Sequence, residues 1–253
     1  MSFDKYKLDY DRDGFVVVRN FLANGDLAAL SQNLDRYIQD VVPELPDSAA
    51  FYDEVGRPES LKQLQHMGRD EFFDGYRRNL RWSALAATLV GESVKAQEPE
   101  WFNKPPGTIH PTPPHQDNFY FCLRPPNVVT LWLALDPVDE ENGCLRYVSG
   151  SHKHGIRDHQ LSDVLGFSQT VVDYNDEDTS REHMICLEPG DLVAHHGETI
   201  HRADPNRSPA RHRRAFAMVF RGENCQRDKV AFDRYQSALQ NQHESFGLSH
   251  DPG

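Results

Sequence analysis

The sequence predicts a mainly β fold with flanking α-helices, a sandwich or jelly roll, and three observations carry that prediction. Helical periodicity is confined to the N-terminal third of the chain. From residue 94 the texture changes to short β-type runs, each bounded by turn residues. No internal repeat or low-complexity tract interrupts it. One domain is therefore expected over 1–253, with helical support over 1–93, a jelly-roll core over 94–222 and a C-terminal segment over 223–253.

In chain order, Gly14-Phe15-Val16-Val17-Val18 reads as a short strand. Leu27, Leu30, Leu34, Ile38 and Val41 then recur at helical spacing, with Asn24 or Asp26 available as a cap and Pro43 and Pro46 as the stop. Residues 43–75 mix prolines, charges and aromatics, which suggests an irregular segment with a short helix over 61–67. A second helix is expected over 79–90, ended by Gly91. Candidate strands follow at 95–102, 118–122, 128–135, 144–148, 182–185, 192–195 and 215–220. The turns between them include Asp136-Pro137, Glu141-Asn142-Gly143, Ser149-Gly150-Ser151 and Pro189-Gly190-Asp191. Residues 155–181 read as a long polar insertion, a lid candidate for a barrel mouth, and the tail 237–253 as loosely held.

The chain is long enough to bury a core without disulfides. Cys122, Cys144, Cys186 and Cys225 are scattered with no Cys-x-x-Cys pair, which speaks against a zinc ribbon or redox disulfide. The first residues lack the apolar core of a signal peptide and no apolar run is long enough to span a bilayer, so a cytoplasmic protein with reduced thiols and no membrane partner is expected. The balance of 27 basic against 39 acidic residues, a formal charge of −12, argues against nucleic-acid binding. Arg211-His212-Arg213-Arg214 is a local basic run leading into an apolar strand, most of it expected to be solvated.

The chemistry-bearing feature is His115-Gln116-Asp117. On a strand, residues i and i+2 share a face, so His115 and Asp117 would grip one ion together. His201, brought back beside them, completes two imidazoles and a carboxylate on one side of a metal, the open facial arrangement of non-haem Fe(II) oxygenases. His196-Gly197-Glu198 has the same spacing and is a rival pair.

Around this motif the chain resembles the phytanoyl-CoA dioxygenase family of Fe(II)- and 2-oxoglutarate-dependent oxygenases. The matching stretches are Asn103-Lys104-Pro105-Pro106, His115-Gln116-Asp117-Asn118-Phe119-Tyr120-Phe121 and Thr130-Leu131-Trp132-Leu133-Ala134-Leu135-Asp136. Further along stand Glu141-Asn142-Gly143-Cys144-Leu145, Ser149-Gly150-Ser151-His152-Lys153, Pro189-Gly190-Asp191-Leu192, and His201 with Asn206 and Arg213-Arg214-Ala215. They keep the family's order over roughly residues 100–220.

The resemblance implies a double-stranded β-helix, the cupin-like jelly roll, with His115, Asp117 and His201 as iron ligands. It sets His196 aside, because the family's distal histidine precedes an asparagine by five positions, as His201 precedes Asn206; His195 and His196 are expected to pack or hydrogen-bond near the site. The implied cosubstrates are 2-oxoglutarate, which loses CO₂ to give succinate, and O₂. A guanidinium suits the far carboxylate of the oxo acid. Family position points to Arg213, with Arg211 and Arg214 open because the spacing from His201 is one residue longer than the pattern. Ala203 stands where the family commonly offers a serine, which leaves Lys104 and Thr130 to supply polar contacts and Trp132 to pack near the cosubstrate. Halogenases related to the family replace the carboxylate with a small residue, so Asp117 favours oxidation without halide.

The expected substrate is small and polar, met by residues of 43–75, with acids for an amine and Lys62, Gln65 or an arginine for an anion. An aminoalkyl phosphonate, an amino-acid derivative and an acyl-CoA are the alternatives. Two other readings are a cupin-like metal enzyme independent of 2-oxoglutarate and a non-catalytic jelly-roll binding module. The sequence leaves oligomeric state open.

Overall fold

Gly14 has φ +85°, the left-handed cap that ends helix α1 (Lys7–Asp13) and turns the chain into strand β1 (Phe15–Val18). The computed structural model describes residues 2–46, 48–54, 56–164 and 167–245. Helix α2 (Asn24–Asp40) buries Leu30, Leu34 and Tyr37 on one face. Neither Asn24 nor Asp26 caps it: Ala23 holds the N-cap position, and no side chain bonds there. The expected helix over 61–67 is replaced by a hairpin of β2 (Ala50–Tyr52) and β3 (Leu61–Leu64). The three-residue spacing of Leu61 and Leu64 reads as helical, but β3 finds hydrogen-bond partners on both flanks, and the ladder decides. Helix α3 (Glu71–Arg77) is capped by Asp70. Helix α4 (Leu80–Val90) is ended by Gly91 at φ +85°, as the sequence predicts, and Asn79 caps its start.

The β region begins with β4 (Val94–Ala96), β5 (Glu100–Lys104) and β6 (Thr112–His115). Residues 118–122 are not a strand but most of a short helix, α5 (Asp117–Phe121). Phe119, Tyr120 and Phe121 favour strands, yet Asn118 closes the turn on itself: its side chain exchanges both hydrogen bonds with the backbone of Leu123, and its carbonyl accepts from Cys122. Then come β7 (Leu123–Arg124), β8 (Val128–Ala134) and β9 (Leu145–Val148). The polar insertion carries a hairpin, β10 (His159–Val164) with β11 (Phe167–Val171), and α6 (Asp176–Ser180). After β12 (Glu182–Ile185), β13 (Leu192–His196), β14 (His201–Ala203), β15 (Arg213–Gly222) and β16 (Gln226–Arg227), the tail forms helix α7 (Lys229–Ser245). The rest of the expected loose tail, 246–253, lies outside the described residues.

Two antiparallel sheets face each other. The larger runs β1-β13-β8-β15-β5-β3-β2, with β4 also on β15, and the smaller runs β12-β9-β14-β6. Strand β8 is buried along its whole length because both faces are covered. Val129, Leu131 and Leu133 meet α2 and α4 through Leu30, Leu34, Trp82 and Leu85, while Trp132 and Ala134 point between the sheets towards Leu145, Tyr147 and Ile185. Strand β15 divides likewise, with Phe216, Met218 and Phe220 outward and Ala215 and Ala217 inward. Small inward residues leave room for a cavity. No described helix is long and apolar enough to cross a membrane.

One turn ties the barrel together. Asn142 is fully buried and bonds Asp139, Pro137 and His212, and Gly143 follows at φ +82°. A Cβ on Gly143 would stand 2.5 Å from the carbonyl oxygen of Asp204. Gly143→Ala is expected to cost about 1–3 kcal/mol, read in thermal unfolding as a loss of roughly 2–12 °C.

Candidate active site

Strand β6 ends on His115 and β14 begins on His201, and the two are register partners with ring centroids 4.2 Å apart. Asp117 reaches them by a different route from the one the sequence suggests. It is not on the strand with His115; the chain turns at Gln116, and Asp117 is the first residue of α5. The fully buried Gln116 fixes that turn, donating to the carbonyls of Gly155 and Glu198 and accepting from the amide of Arg157. Asp117 Oδ1 then lies 3.6 Å from His115 Nε2 and 3.5 Å from His201 Nε2. Each imidazole gives its Nδ1–H to a carbonyl two residues back, Pro113 at 2.7 Å and Thr199 at 3.0 Å, so both Nε2 lone pairs face the same spot. One ligand atom from each residue lies within 4.8 Å of the others.

The protonation states suit a metal. Burial pushes the Asp117 carboxyl up, but the neighbouring imidazoles outweigh it and hold the group well below its usual range. Burial, helped by His115, holds His201 well below the ordinary histidine value. A carboxylate and lone-pair-bearing imidazoles form the donor set that Fe(II) takes, with coordination positions left open.

Arg213, the first residue of β15, pairs in register with Lys104 of β5, and both side chains enter the same cavity as the three donors. The guanidinium lies over Trp132, 5.3 Å from the ring centroid; its Nε has no hydrogen-bond partner, and among the described residues no carboxylate lies within 4.0 Å of it. Burial lowers it to about 10, which still leaves a cation. Arg211 pairs with Asp139 and Glu141, and Arg214 with Asp136; neither lines the cavity. Lys104 Nζ donates to the carbonyls of Asp204 at 2.8 Å and His110 at 3.3 Å, and burial pulls it down to about 6. Thr130 turns to the metal side instead, its Oγ1 donating to Asp117 Oδ2 at 2.7 Å. Asn206 braces the loop after His201 by donating to the carbonyls of Lys104 and Arg211. Ala203 is buried and brings no polar group.

The rival pair is not a chelate. His196 Nδ1 accepts from the amide of Glu198, and its ring lies beside Tyr10 and His152. His195 does reach the site, with Nε2 3.0 Å from Asp117 Oδ2. Of residues 43–75, Asp53, Lys62 and Gln63 line the cavity, and Gln65 does not. None of the described residues of 155–181 lines it; that hairpin packs behind the site, Thr170 donating to the carbonyl of Pro114 and His159 stacking on Phe119. Tyr147, stacked on His201, was also not singled out by the sequence.

Comparison with known proteins places the chain in a family. The model of the family described as "Phytanoyl-CoA dioxygenase (PhyH)" matches residues 10–215. The peroxisomal phytanoyl-CoA dioxygenase of Bos taurus is 27% identical over 230 residues, covering 85% of this chain and 67% of the relative, so the chain spans about two thirds of that protein's length. A probable alpha-ketoglutarate-dependent hypophosphite dioxygenase of Stutzerimonas stutzeri is 23% identical over 218 residues, covering 83% of this chain and 76% of the relative. Among solved structures, the epimerase SnoN in complex with Fe3+, alpha ketoglutarate and nogalamycin RO shares the fold with a TM-score of 0.70 at 22% identity, covering 88% of this chain and 84% of that one.

Proposed function

The chain belongs to the phytanoyl-CoA dioxygenase family, and from that premise we propose that this Fe(II)- and 2-oxoglutarate-dependent dioxygenase hydroxylates a small polar molecule, with His115, Asp117 and His201 holding the metal and Arg213 the far carboxylate of the oxo acid. With both bound, the centre couples O₂ reduction and loss of CO₂ from 2-oxoglutarate to attack on a C–H bond, giving succinate. The chain's own residues position the reactants and exclude water. One observation carries the reading: three converging donors share a cavity with a buried guanidinium that meets no carboxylate among the described residues. A buried cation without a counter-charge is costly, and a dicarboxylate ligand would relieve it.

The cavity wall supports a polar substrate with groups of both signs. Asp53 and Lys62 stand in it as an ion pair, Oδ1 and Nζ 3.9 Å apart, and Gln63 also lines it. Glu100 shares the inward side of β5 with Phe102 and Lys104 by strand alternation. Burial, then the charge of Asp117, pushes its carboxyl up to about 7 against a hydrogen bond from Gln63. Such a wall suits an amino-acid derivative or aminoalkyl phosphonate better than an acyl-CoA, whose phosphates would want a basic surface that a chain of charge −12 does not advertise.

The test is succinate release from the Fe(II)-loaded enzyme across amines, amino acids, phosphonates and acyl-CoAs. Stimulation by a zwitterion is the expected result, weakened at least tenfold in KM by Asp53→Asn or Lys62→Met. Turnover with acyl-CoA alone would overturn the substrate class.

A further inference from the structure

A carboxylate facing an open metal site has two ways to bind. With one oxygen it leaves room for a bidentate oxo acid and O₂; with both it takes a position that one of them needs. The surroundings of Asp117 choose between these. Its Oδ1 faces the Nε2 atoms of His115 and His201, while its Oδ2 is turned away and occupied twice, by Thr130 Oγ1 at 2.7 Å and His195 Nε2 at 3.0 Å. Those two partners are themselves a cross-strand pair, His195 of β13 in register with Thr130 of β8.

His195 is held in turn. Its Nδ1 lies 3.0 Å from the hydroxyl of Tyr147, which belongs to the opposite sheet. Since a carboxylate only accepts, Nε2 carries the hydrogen and donates to Oδ2; in the neutral ring Nδ1 then accepts, and the Tyr147 hydroxyl donates. The Tyr147 ring is fixed between Phe15, stacked at 4.9 Å, and His201, stacked at 5.5 Å. Tyr147 sits opposite His201 in the β9–β14 ladder, so it touches one proposed ligand directly and reaches another through His195. The side chain is fully buried and cannot swing to water.

We propose that Tyr147 and His195 are positioning residues that hold Asp117 as a one-oxygen ligand and so keep the positions needed by 2-oxoglutarate and O₂ open. The proposal rests on Asp117 being a metal ligand. The relay crosses the barrel from the smaller sheet to the larger, which couples the placement of the carboxylate to the closeness of the two sheets. Partners that orient a ligand typically set metal affinity by about 10- to 100-fold.

Co(II) titration of the metal-free full-length protein, followed by its visible absorption, tests this without turnover. Asp117→Ala is expected to abolish tight Co(II) binding. His195→Phe removes the donor at similar bulk and is expected to weaken the Co(II) dissociation constant about tenfold or more and to change band position and intensity, which report coordination number and geometry. His195→Gln keeps an N–H for Oδ2 and is expected to recover part of both. Tyr147→Phe leaves His195 untethered and is expected to show a smaller change of the same sign. Circular dichroism and thermal unfolding confirm the fold of each variant. If Asp117→Ala binds Co(II) as the wild type does, the ligand assignment fails. If Asp117→Ala loses the ion while Tyr147→Phe and the histidine variants bind it within twofold and with an unchanged spectrum, the relay alone fails. Should His195→Phe not fold, Tyr147→Phe and His195→Gln still decide.

Discussion

His201→Ala is expected to remove 2-oxoglutarate turnover by more than about a thousandfold while leaving the protein folded. The barrel does not need this imidazole: β14 is held by its ladders to β6 and β9, and an alanine fits that backbone. The site needs it, because only the register of His201 against His115 brings a second Nε2 to the face of Asp117 Oδ1. Among the described residues no other His, Cys, Asp or Glu joins the donor group of His115, Asp117 and His201. His195 is tied to Asp117 Oδ2 and Tyr147, and His196 is tied to the amide of Glu198. His196→Ala is accordingly expected to keep turnover per folded enzyme within about threefold. Succinate release from Fe(II)-reconstituted proteins checks both, and equal losses in the two variants would sink the assignment of the third ligand.

The sequence showed most where local signals and tertiary demands agree. Strands β8, β13 and β15 are apolar on both faces and read as strands from any direction, and α4 carries its own cap in Asn79 and its own stop in Gly91. It misled where they conflict. The Phe-Tyr-Phe run of 119–121 has strand propensity, yet the hydrogen bonds of Asn118 bend it into α5, and that bend sets the direction in which Asp117 points. The structure brings the three residues together, but His115 and Asp117 do not meet there by a shared strand face. His195 illustrates a further gap: its role depends on Asp117 and Tyr147, 78 and 48 positions away, and nothing beside it in the chain reports them. One signal was present and unused. Along β15 small residues at 215 and 217 alternate with Phe216 and Met218, so Arg213 falls on the inward phase and Arg214 on the outward one.

Arg213→Met should weaken 2-oxoglutarate and stabilise the empty protein at once, and the opposition of signs is what makes it diagnostic. Losing one half of a buried charge pair costs about 2–5 kcal/mol, a rise of roughly 30- to 4,000-fold in the KM for 2-oxoglutarate. Without the oxo acid, the same guanidinium is a cation shut between the sheets over Trp132 with no carboxylate in reach among the described residues, and burial already pulls it down to about 10. Replacing such a charge by an apolar chain of similar length is expected to raise the stability of the empty protein by about 1–4 kcal/mol. Arg213→Lys keeps the charge without the fork and should recover only part of the affinity. Arg211→Ala and Arg214→Ala, which break ion pairs with Asp139, Glu141 and Asp136 outside the cavity, should leave the KM within about twofold. Thermal unfolding of wild type and Arg213→Met, with and without metal and 2-oxoglutarate, reads the crossing directly. The variant should melt higher when empty and shift far less on adding the ligand. At a hundred times its dissociation constant the oxo acid stabilises wild type by about 2.7 kcal/mol, which reverses the order of melting wherever the empty variant's gain is below about 2 kcal/mol. A variant that still shifts as far as wild type on adding 2-oxoglutarate would place the anchor elsewhere, with Lys104, opposite Arg213 in the ladder, the next group to test.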